Sequence, residues 1–298
     1  MFTIPIEGTG SFSLDDTLDC GQCFHWERNA DGSWSGSIRI QDGSPGGDGS
    51  TYATIRQVDR SISFIDHPAF HSDEETEAAV SIWREYFDLD TDYDAVQRIL
   101  AKDPVCQKAI AYCGGIRILR QDGWEALASF ILSQNNNIPR IKGMIDRLCE
   151  AAGPLLGTRP DGRKIYGFPS PRRIVDGGAK LLEPVRAGFR TRYLLDAAYK
   201  VASGEVDLDF IRTAPIDEAR NALQKIMGVG PKVADCALLY GFYRLEAFPV
   251  DVWVRRVLST YYPDGLPACF SAAPGFAQQY LFHYIRTCPE AKDVSNAG

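Results

Sequence analysis

Two patterns of hydrophobic and polar positions divide the chain. In residues 1–95, short runs such as 33–40 and 52–55 alternate between apolar and polar side chains or are rich in β-branched residues, and turn-forming residues separate them. The Gly-, Asp- and Ser-rich residues 41–50 are predicted to form a surface loop between two strands. This pattern is typical of antiparallel strands joined by hairpins.

From residue 92 onward the apolar spacing becomes helical. Asp122, followed three positions later by Glu125, predicts a capping box at the start of one helix. The expected fold class is therefore α+β, with an N-terminal antiparallel β domain at residues 1–95 and a larger helical domain at residues 96–298. Two runs carry the helical spacing: Trp124, Leu127, Ala128 and Ile131, then Ile138, Ile141, Ile145 and Leu148.

Length and composition fit a globular protein of two domains. The 298 residues exceed the usual size of one compact domain, and 45% hydrophobic with 24% charged residues is an ordinary composition. No apolar run approaches the ~20 residues that a membrane span requires. The N-terminus lacks the features of a secretory signal, so a cytoplasmic location and no membrane partner are expected.

The eight cysteines are expected to be reduced thiols, most of them in the core. Cys20 and Cys23 form a CxxC motif, but no second pair follows at metal-ligand spacing. His25 alone does not complete a tetrahedral site. We therefore expect neither a metal nor another cofactor.

The net charge of −7 conceals a strong asymmetry along the chain. Residues 1–95 carry nineteen acidic and five basic side chains, whereas residues 140–200 carry thirteen basic and six acidic ones. A basic segment of this kind indicates an anionic partner such as nucleic acid, because phosphate binding is driven by Lys and Arg. A solvated helical surface is the alternative interpretation.

Residues 217–226 and 231–239 are predicted to form two helices joined by a glycine turn. Pro231 occupies the first position of the second helix, which favours helix initiation. Gly228 and Gly230 can adopt positive φ and let a phosphate approach the backbone N–H groups. Taken alone, this pattern fits a purely structural helix-turn-helix equally well.

Two side chains beside this hairpin have catalytic potential. Lys232 falls in the first turn of the second helix, where the helix dipole and desolvation both disfavour the ammonium form and favour a nucleophilic amine. Asp251 ends an extended segment about nineteen residues later and precedes another amphipathic helix. On its own, Asp251 is most simply interpreted as the N-cap of that helix.

Residues 223–256 resemble the 8-oxoguanine DNA glycosylase family of helix-hairpin-helix glycosylases. Four further blocks, at residues 18–26, 130–140, 188–193 and 276–282, resemble the same family and follow its order. Together they extend over nearly the whole chain. The resemblance implies a TBP-like antiparallel β domain joined to an all-α glycosylase domain, with the active site in a cleft between helical layers.

The resemblance also implies the chemistry and the partner. Lys232 would displace the damaged base at the anomeric carbon, form a Schiff base with the opened sugar and permit β-elimination of the strand. Asp251 would stabilise the developing positive charge and orient the amine. The implied partner is duplex DNA containing 8-oxoguanine opposite cytosine. Repair of a duplex requires only one copy of the chain, so we expect a monomer.

Four positions match family residues that recognise the extruded base. Gly21 would accept the added ring N–H of 8-oxoguanine through its backbone carbonyl. Guanine lacks this N–H, so the buried carbonyl would be left without a hydrogen-bond partner. Cys236 and Phe282 would sandwich the base, and Gln278 would bind its pairing edge. From the residues alone, Cys236, Gln278 and Phe282 could equally be core or surface residues of helices that do not bind a base, and Phe282 on its own would more often be a core residue.

Other positions match family contacts to the duplex. Asn135 would fill the space vacated in the base stack, Arg140 and Arg190 would contact the orphaned cytosine, and Phe189 would act as a wedge. Without the resemblance, the asparagines indicate a turn or cap and the arginines a solvated face. Phosphate contacts are implied for the hairpin residues Gly228, Val229 and Gly230.

Two positions depart from the family pattern. Trp253 stands where animal relatives usually carry a phosphate-contacting histidine, and Tyr240 where they usually carry methionine, which alters the pocket wall. Neither change affects Lys232 or Asp251.

The sequence disfavours two alternative glycosylases of the same superfamily, and a non-catalytic DNA-binding module is the third alternative. A superfamily glycosylase for alkylated bases usually lacks the hairpin lysine. One for oxidised pyrimidines usually ends in four clustered cysteines, whereas only Cys269 and Cys288 follow here. A non-catalytic helix-hairpin-helix module would require neither Lys232 nor Asp251.

Overall fold

The computed structural model describes residues 2–6, 11–40 and 49–291. Most of the predicted loop at residues 41–50 lies outside these ranges, because residues 41–48 are not described. Within the described part of the chain, no helix combines the length and apolar character needed to cross a membrane.

The N-terminal region forms a five-stranded antiparallel sheet, which confirms the predicted β domain. The strand order is β1-β5-β4-β3-β2, and the predicted strands at residues 33–40 and 52–55 correspond to β3 and β4. The strands are β1 Phe2–Pro5, β2 Trp26–Arg28, β3 Trp34–Arg39, β4 Ser50–Val58 and β5 Ser61–Asp66.

Two helices accompany the sheet, α1 Leu14–Asp19 and α2 Asp73–Tyr86. Trp83 of α2 is fully buried against Phe64, with ring centroids 5.3 Å apart, and against Trp26 in an edge-to-face contact at 6.0 Å. Aromatic contacts of this kind contribute roughly 0.5–1.5 kcal/mol each beyond the burial of their area. They hold α2 on the sheet.

The rest of the chain is predominantly helical, as predicted. The two runs of helical spacing correspond to α5 and α6, and α5 is buried along its entire length. The helices are α3 Tyr93–Leu100, α4 Pro104–Cys113, α5 Gly123–Leu132, α6 Ile138–Ala152, α7 Pro171–Leu182, α8 Arg190–Ala202, α9 Leu208–Thr213, α10 Ile216–Leu223, α11 Pro231–Gly241, α12 Val252–Tyr261 and α13 Pro274–Thr287.

The predicted capping box at α5 is only partly formed. Asp122 accepts the backbone N–H of Glu125 at 2.9 Å, as a cap should. The carboxylate of Glu125, however, lies 3.4 Å from Nδ1 of His25. This buried contact joins the segment leading into β2 to the central helix.

A two-stranded hairpin between α6 and α7 was not predicted. Its strands, β6 Leu155–Thr158 and β7 Lys164–Tyr166, are too short to show an alternating pattern. Ser37 of β3 donates a hydrogen bond to the carbonyl of Tyr166 at 3.1 Å. The hairpin therefore attaches the helical region to the sheet.

The segment after α1 crosses from the sheet into the helical region. Cys20 and Phe24 are buried in the helical core, whereas their neighbour Cys23 packs in the core of the sheet. This arrangement brings Gly21 to the edge of the helical core. The predicted division at residue 95 falls within α3 and stays a prediction.

Candidate active site

The glycine hairpin between α10 and α11 is held in a tight turn. Gly228 has φ +77°, and a Cβ there would lie 2.5 Å from Cδ2 of Tyr193, so the position requires glycine. The backbone N–H of Met227 donates to Asp196 at 2.7 Å. Gly230 is the N-cap residue of α11. Helix α10 ends three residues before the predicted end at residue 226.

Lys232 lies in the first turn of α11, as predicted, and is partly buried. Its Nζ is 5.5 Å from the centroid of the Phe130 ring, and Cys236 follows it by four positions on the same face of α11. Burial raises the pKa of Cys236 to about 11, although the positive charge of Lys232 favours a lower pKa. Cys236 is therefore a neutral thiol near pH 7.

Asp251 is the N-cap residue of α12, so the simple interpretation of this residue is correct. The backbone N–H groups of Trp253 and Val254 donate to the carboxylate at 2.9 and 2.8 Å. Both backbone N–H groups donate to Oδ1, so the capping role of Asp251 does not depend on Oδ2. The cap also fixes the orientation of the carboxylate.

Lys232 and Asp251 line the same cavity, which has a volume of about 400 Å³. This volume falls within the usual range for small-ligand sites. The fold thus brings together side chains from α11, α12, α13 and the segment after α1. Its lining includes all four predicted base-recognition residues: Gly21, Cys236, Gln278 and Phe282.

Gly21 lies in the cavity wall close to Phe282, where the absence of a side chain leaves space in the cavity. Its φ of +86° favours glycine, and a Cβ at this position would lie 3.3 Å from Cε1 of Phe282. Any side chain here would therefore both strain the backbone and enter the cavity.

Sequence reasoning missed Arg286 in the cavity wall. It donates to the carbonyl of Asp19 at 2.8 Å, and its Cζ is 5.3 Å from the centroid of the Phe282 ring. Arg286 follows Phe282 by four positions on α13, and residues at this spacing share a helix face. Lys232, Cys236 and Tyr240 follow one another at the same four-residue spacing on α11. The ring of Tyr240 stacks on Phe130.

The residues matched to duplex contacts are grouped at one side of the helical region. Asn135 is exposed with φ +48°, and the carbonyl of Asn135 accepts a hydrogen bond from Arg190 at 3.0 Å. Arg190 is buried and also donates to the Gln134 carbonyl at 2.7 Å. The guanidinium thus supports the Asn135 turn, and its contact with cytosine stays a prediction.

Phe189 and Arg140 flank this group. Phe189 is 45% exposed, a large fraction for an aromatic side chain, and the Cζ atom of Arg190 lies 4.5 Å from its ring centroid. Burial, followed by the charge of Arg140, lowers the pKa of Arg190. Residues 135–137 are three consecutive asparagines. The last of them, Asn137, is the N-cap residue of α6, so the cap interpretation holds at that position.

The cysteines of the CxxC motif are not part of a metal site in the portion of the chain that the structure describes. All eight cysteines lie within the described ranges and are free thiols, and both residues of the CxxC motif are buried. Among the described residues, no three His, Cys, Asp or Glu side chains are grouped in a way that could bind a metal ion.

Comparison with known proteins identifies related chains. The family model of the 8-oxoguanine DNA glycosylase N-terminal domain matches residues 4–127. An N-glycosylase/DNA lyase of Saccharomyces cerevisiae is 37% identical over an alignment of 160 residues, and the match covers 50% of this chain and 42% of the yeast protein. The match to the Arabidopsis thaliana N-glycosylase/DNA lyase OGG1 covers 66% of that protein. The chain therefore spans less than two thirds of these curated relatives.

Two solved structures are matched over nearly their full length. The structure of MBOgg1 in complex with a low-affinity DNA ligand has a TM-score of 0.80 and 38% identity, with 95% of each chain covered. The Clostridium acetobutylicum 8-oxoguanine glycosylase/lyase, in complex with duplex DNA containing cytosine opposite 8-oxoguanine, has a TM-score of 0.78 and 36% identity. That match covers 93% of this chain and 92% of the other. This chain belongs to the 8-oxoguanine DNA glycosylase family.

Proposed function

We propose that this protein is a bifunctional DNA glycosylase and AP lyase that removes 8-oxoguanine from duplex DNA, preferentially opposite cytosine. The observation that carries this proposal is the shared cavity, in which Lys232 and Asp251 lie together with Gly21, Gln278 and Phe282. A non-catalytic DNA-binding module has no need for an amine and a carboxylate in one base-sized cavity.

The first chemical step is the displacement of the base. The target nucleotide leaves the stack, at a cost of a few kcal/mol, and its base enters the cavity. The amine of Lys232 forms a bond to the anomeric carbon and gives up a proton, and the glycosidic bond breaks with its electron pair passing to the departing base, which takes up a proton. The Asp251 carboxylate stabilises the positive charge that develops on the sugar.

The second step nicks the strand. The sugar ring opens to a Schiff base with Lys232, and this cation acidifies the adjacent carbon. Loss of a proton there expels the 3′ phosphate by β-elimination. Water then releases the lysine, so one residue serves both activities.

Binding of the duplex involves the basic residues 140–200 and the glycine hairpin. In this segment Arg140 is exposed, and the exposed Phe189 ring lies 4.5 Å from the Cζ atom of Arg190. An exposed aromatic ring next to arginines fits insertion at a distorted base step. The protein would act wherever the genomic DNA lies, in a nucleoid or a nucleus.

Excision assays on a panel of duplexes test the function. The panel contains 8-oxoguanine opposite each of the four bases, together with 3-methyladenine, an oxidised pyrimidine and undamaged guanine. We expect base release and strand nicking at 8-oxoguanine, fastest opposite cytosine. Equal turnover against all four partners would refute the opposite-base preference. Excision confined to alkylated bases or pyrimidines would assign the chain a different substrate.

Substitution of Gly21 by alanine should block the cavity. Both the positive φ and the approach to Phe282 oppose a side chain. We expect at least a tenfold loss of affinity for the lesion, roughly the effect of one lost buried contact, and about 1–3 kcal/mol of destabilisation. Fluorescence anisotropy and thermal melts measure the two effects.

Gly32→Ala is a matched control for this substitution. Gly32 has φ +83°, but a Cβ there would meet nothing within 4 Å. It should therefore produce similar destabilisation with unchanged lesion affinity. If both variants bind the lesion equally well, Gly21 does not form the wall of the base site.

A further inference from the structure

The hydroxyl of Tyr240 lies between two glutamine amides of α13, behind the base cavity. It is 3.0 Å from Oε1 of Gln278 and 2.5 Å from Oε1 of Gln279. All three side chains are at most 3% exposed. Burial raises the pKa of Tyr240 well above its usual value, so the phenol keeps its proton.

One hydroxyl proton cannot serve two amide oxygens. With both oxygens facing Tyr240, one of the two contacts lacks a hydrogen, and the amide nitrogen of Gln279 is buried without a partner. Turning the Gln279 amide over gives each of the two contacts its own hydrogen, because the Gln279 nitrogen then donates to the Tyr240 oxygen. The Tyr240 proton is then committed to Gln278.

Gln278 is consequently held at both ends of its amide. Its oxygen accepts from Tyr240, and its nitrogen donates to the carbonyl of Pro249 at 3.2 Å. Turning the Gln278 amide over would place its oxygen against the carbonyl oxygen of Pro249. The Tyr240 hydroxyl would then have no acceptor on Gln278. The group therefore keeps one orientation, with one oxygen lone pair and one N–H left for the cavity.

We propose that Tyr240 is a positioning residue that makes Gln278 select purines with a 6-oxo group over purines with a 6-amino group. This inference rests on the proposed function. A 6-oxo purine presents a ring N–H donor beside a carbonyl acceptor, which complements the oxygen and N–H of the fixed amide. A 6-amino purine presents the same two kinds of group in reverse order.

The selection depends on the fixed orientation. A glutamine free to rotate about its last torsion would pair with either order, since its two ends are nearly the same size. Once the amide is held, a 6-amino purine places donor against donor and acceptor against acceptor, and buried groups remain unpaired. Purines that share the 8-oxo modification are thus distinguished by the groups on their base-pairing edge.

Tyr240→Phe tests this proposal. The variant removes the hydroxyl and keeps the ring that stacks on Phe130, at a centroid distance of 5.4 Å. Single-turnover excision is measured for 8-oxoguanine, 8-oxohypoxanthine and 8-oxoadenine in the same duplex context. We expect the 8-oxoguanine to 8-oxoadenine rate ratio to fall about tenfold, the effect of one lost hydrogen bond. The corresponding ratio for 8-oxohypoxanthine should fall equally, because this base shares the 6-oxo edge.

Two controls separate positioning from a general structural effect. Cleavage of a preformed abasic site involves no base, so its rate in Tyr240→Phe measures any general effect of the variant on Lys232, by which the excision rates are then divided. Tyr262→Phe removes another buried hydroxyl, which donates to Asp103 at 2.6 Å and is remote from the cavity lining. It should lower the melting temperature without changing either ratio.

The outcomes distinguish this inference from the proposed function. A rate ratio is independent of the fraction of folded enzyme, so instability of a variant cannot imitate the expected result. Unchanged ratios in Tyr240→Phe, with an active wild type, would overturn the positioning role alone. A wild type that excises none of the three bases would overturn the proposed function and this inference with it.

Discussion

Replacement of Lys232 by glutamine is expected to abolish base excision and strand nicking while preserving binding of the lesion. In the proposed mechanism the Lys232 amine forms the bond to the sugar, and removal of a nucleophile typically costs about 10⁴- to 10⁶-fold in rate. Glutamine keeps the length and polarity needed at the start of α11, where Lys232 is partly buried. Single-turnover assays and anisotropy measure the two quantities separately.

Lys225→Gln is the matched control for the loss of charge. Lys225 is exposed near the same hairpin and does not line the cavity. This variant should retain excision, with a slightly reduced affinity for DNA at low salt. Activity in Lys232→Gln equal to that of the wild type would place the nucleophile elsewhere.

Asp251→Asn is expected to lower the rate of excision by about 10²- to 10³-fold, the usual cost of losing one electrostatic contact in a transition state. Asparagine is as good an N-cap as aspartate, so the hydrogen bonds to Trp253 and Val254 can persist. The melting temperature should therefore change little. The combination of a large kinetic effect and a small stability effect identifies the charge as the functional property.

Asp251→Ala separates the two roles further. It removes the cap as well as the charge and should cost an additional ~0.5–2 kcal/mol of stability. Asp251→Ser restores the cap without the charge and should recover stability but not activity. If Asp251→Asn were fully active, the carboxylate would be a helix cap and nothing more.

The parts of the site that lie close together in sequence were predictable. Pro231 and the flanking glycines mark the start of α11, which places Lys232 in its first turn. Asp251 was assigned correctly as a cap for the same local reason. The family resemblance then supplied Gly21 and Phe282, which local patterns alone could not connect to the hairpin.

The parts that depend on tertiary packing were not predictable. Tyr240 and Gln278 are 38 residues apart, and their contact exists only because α11 and α13 pack together. Arg190 carries the charge expected of a DNA contact, yet the fold directs its guanidinium to the carbonyls of Gln134 and Asn135. Charge and position in a sequence do not reveal which partner a long side chain selects.

Both proposed activities require Lys232 to become covalently attached to the sugar of a damaged nucleotide. Borohydride reduction during turnover of a duplex with 8-oxoguanine opposite cytosine, followed by peptide mapping, tests this claim directly. We expect a stable protein–DNA adduct on the peptide that contains Lys232, and no adduct with Lys232→Gln. An adduct on another residue, or no adduct from an enzyme that removes the base, would contradict this claim.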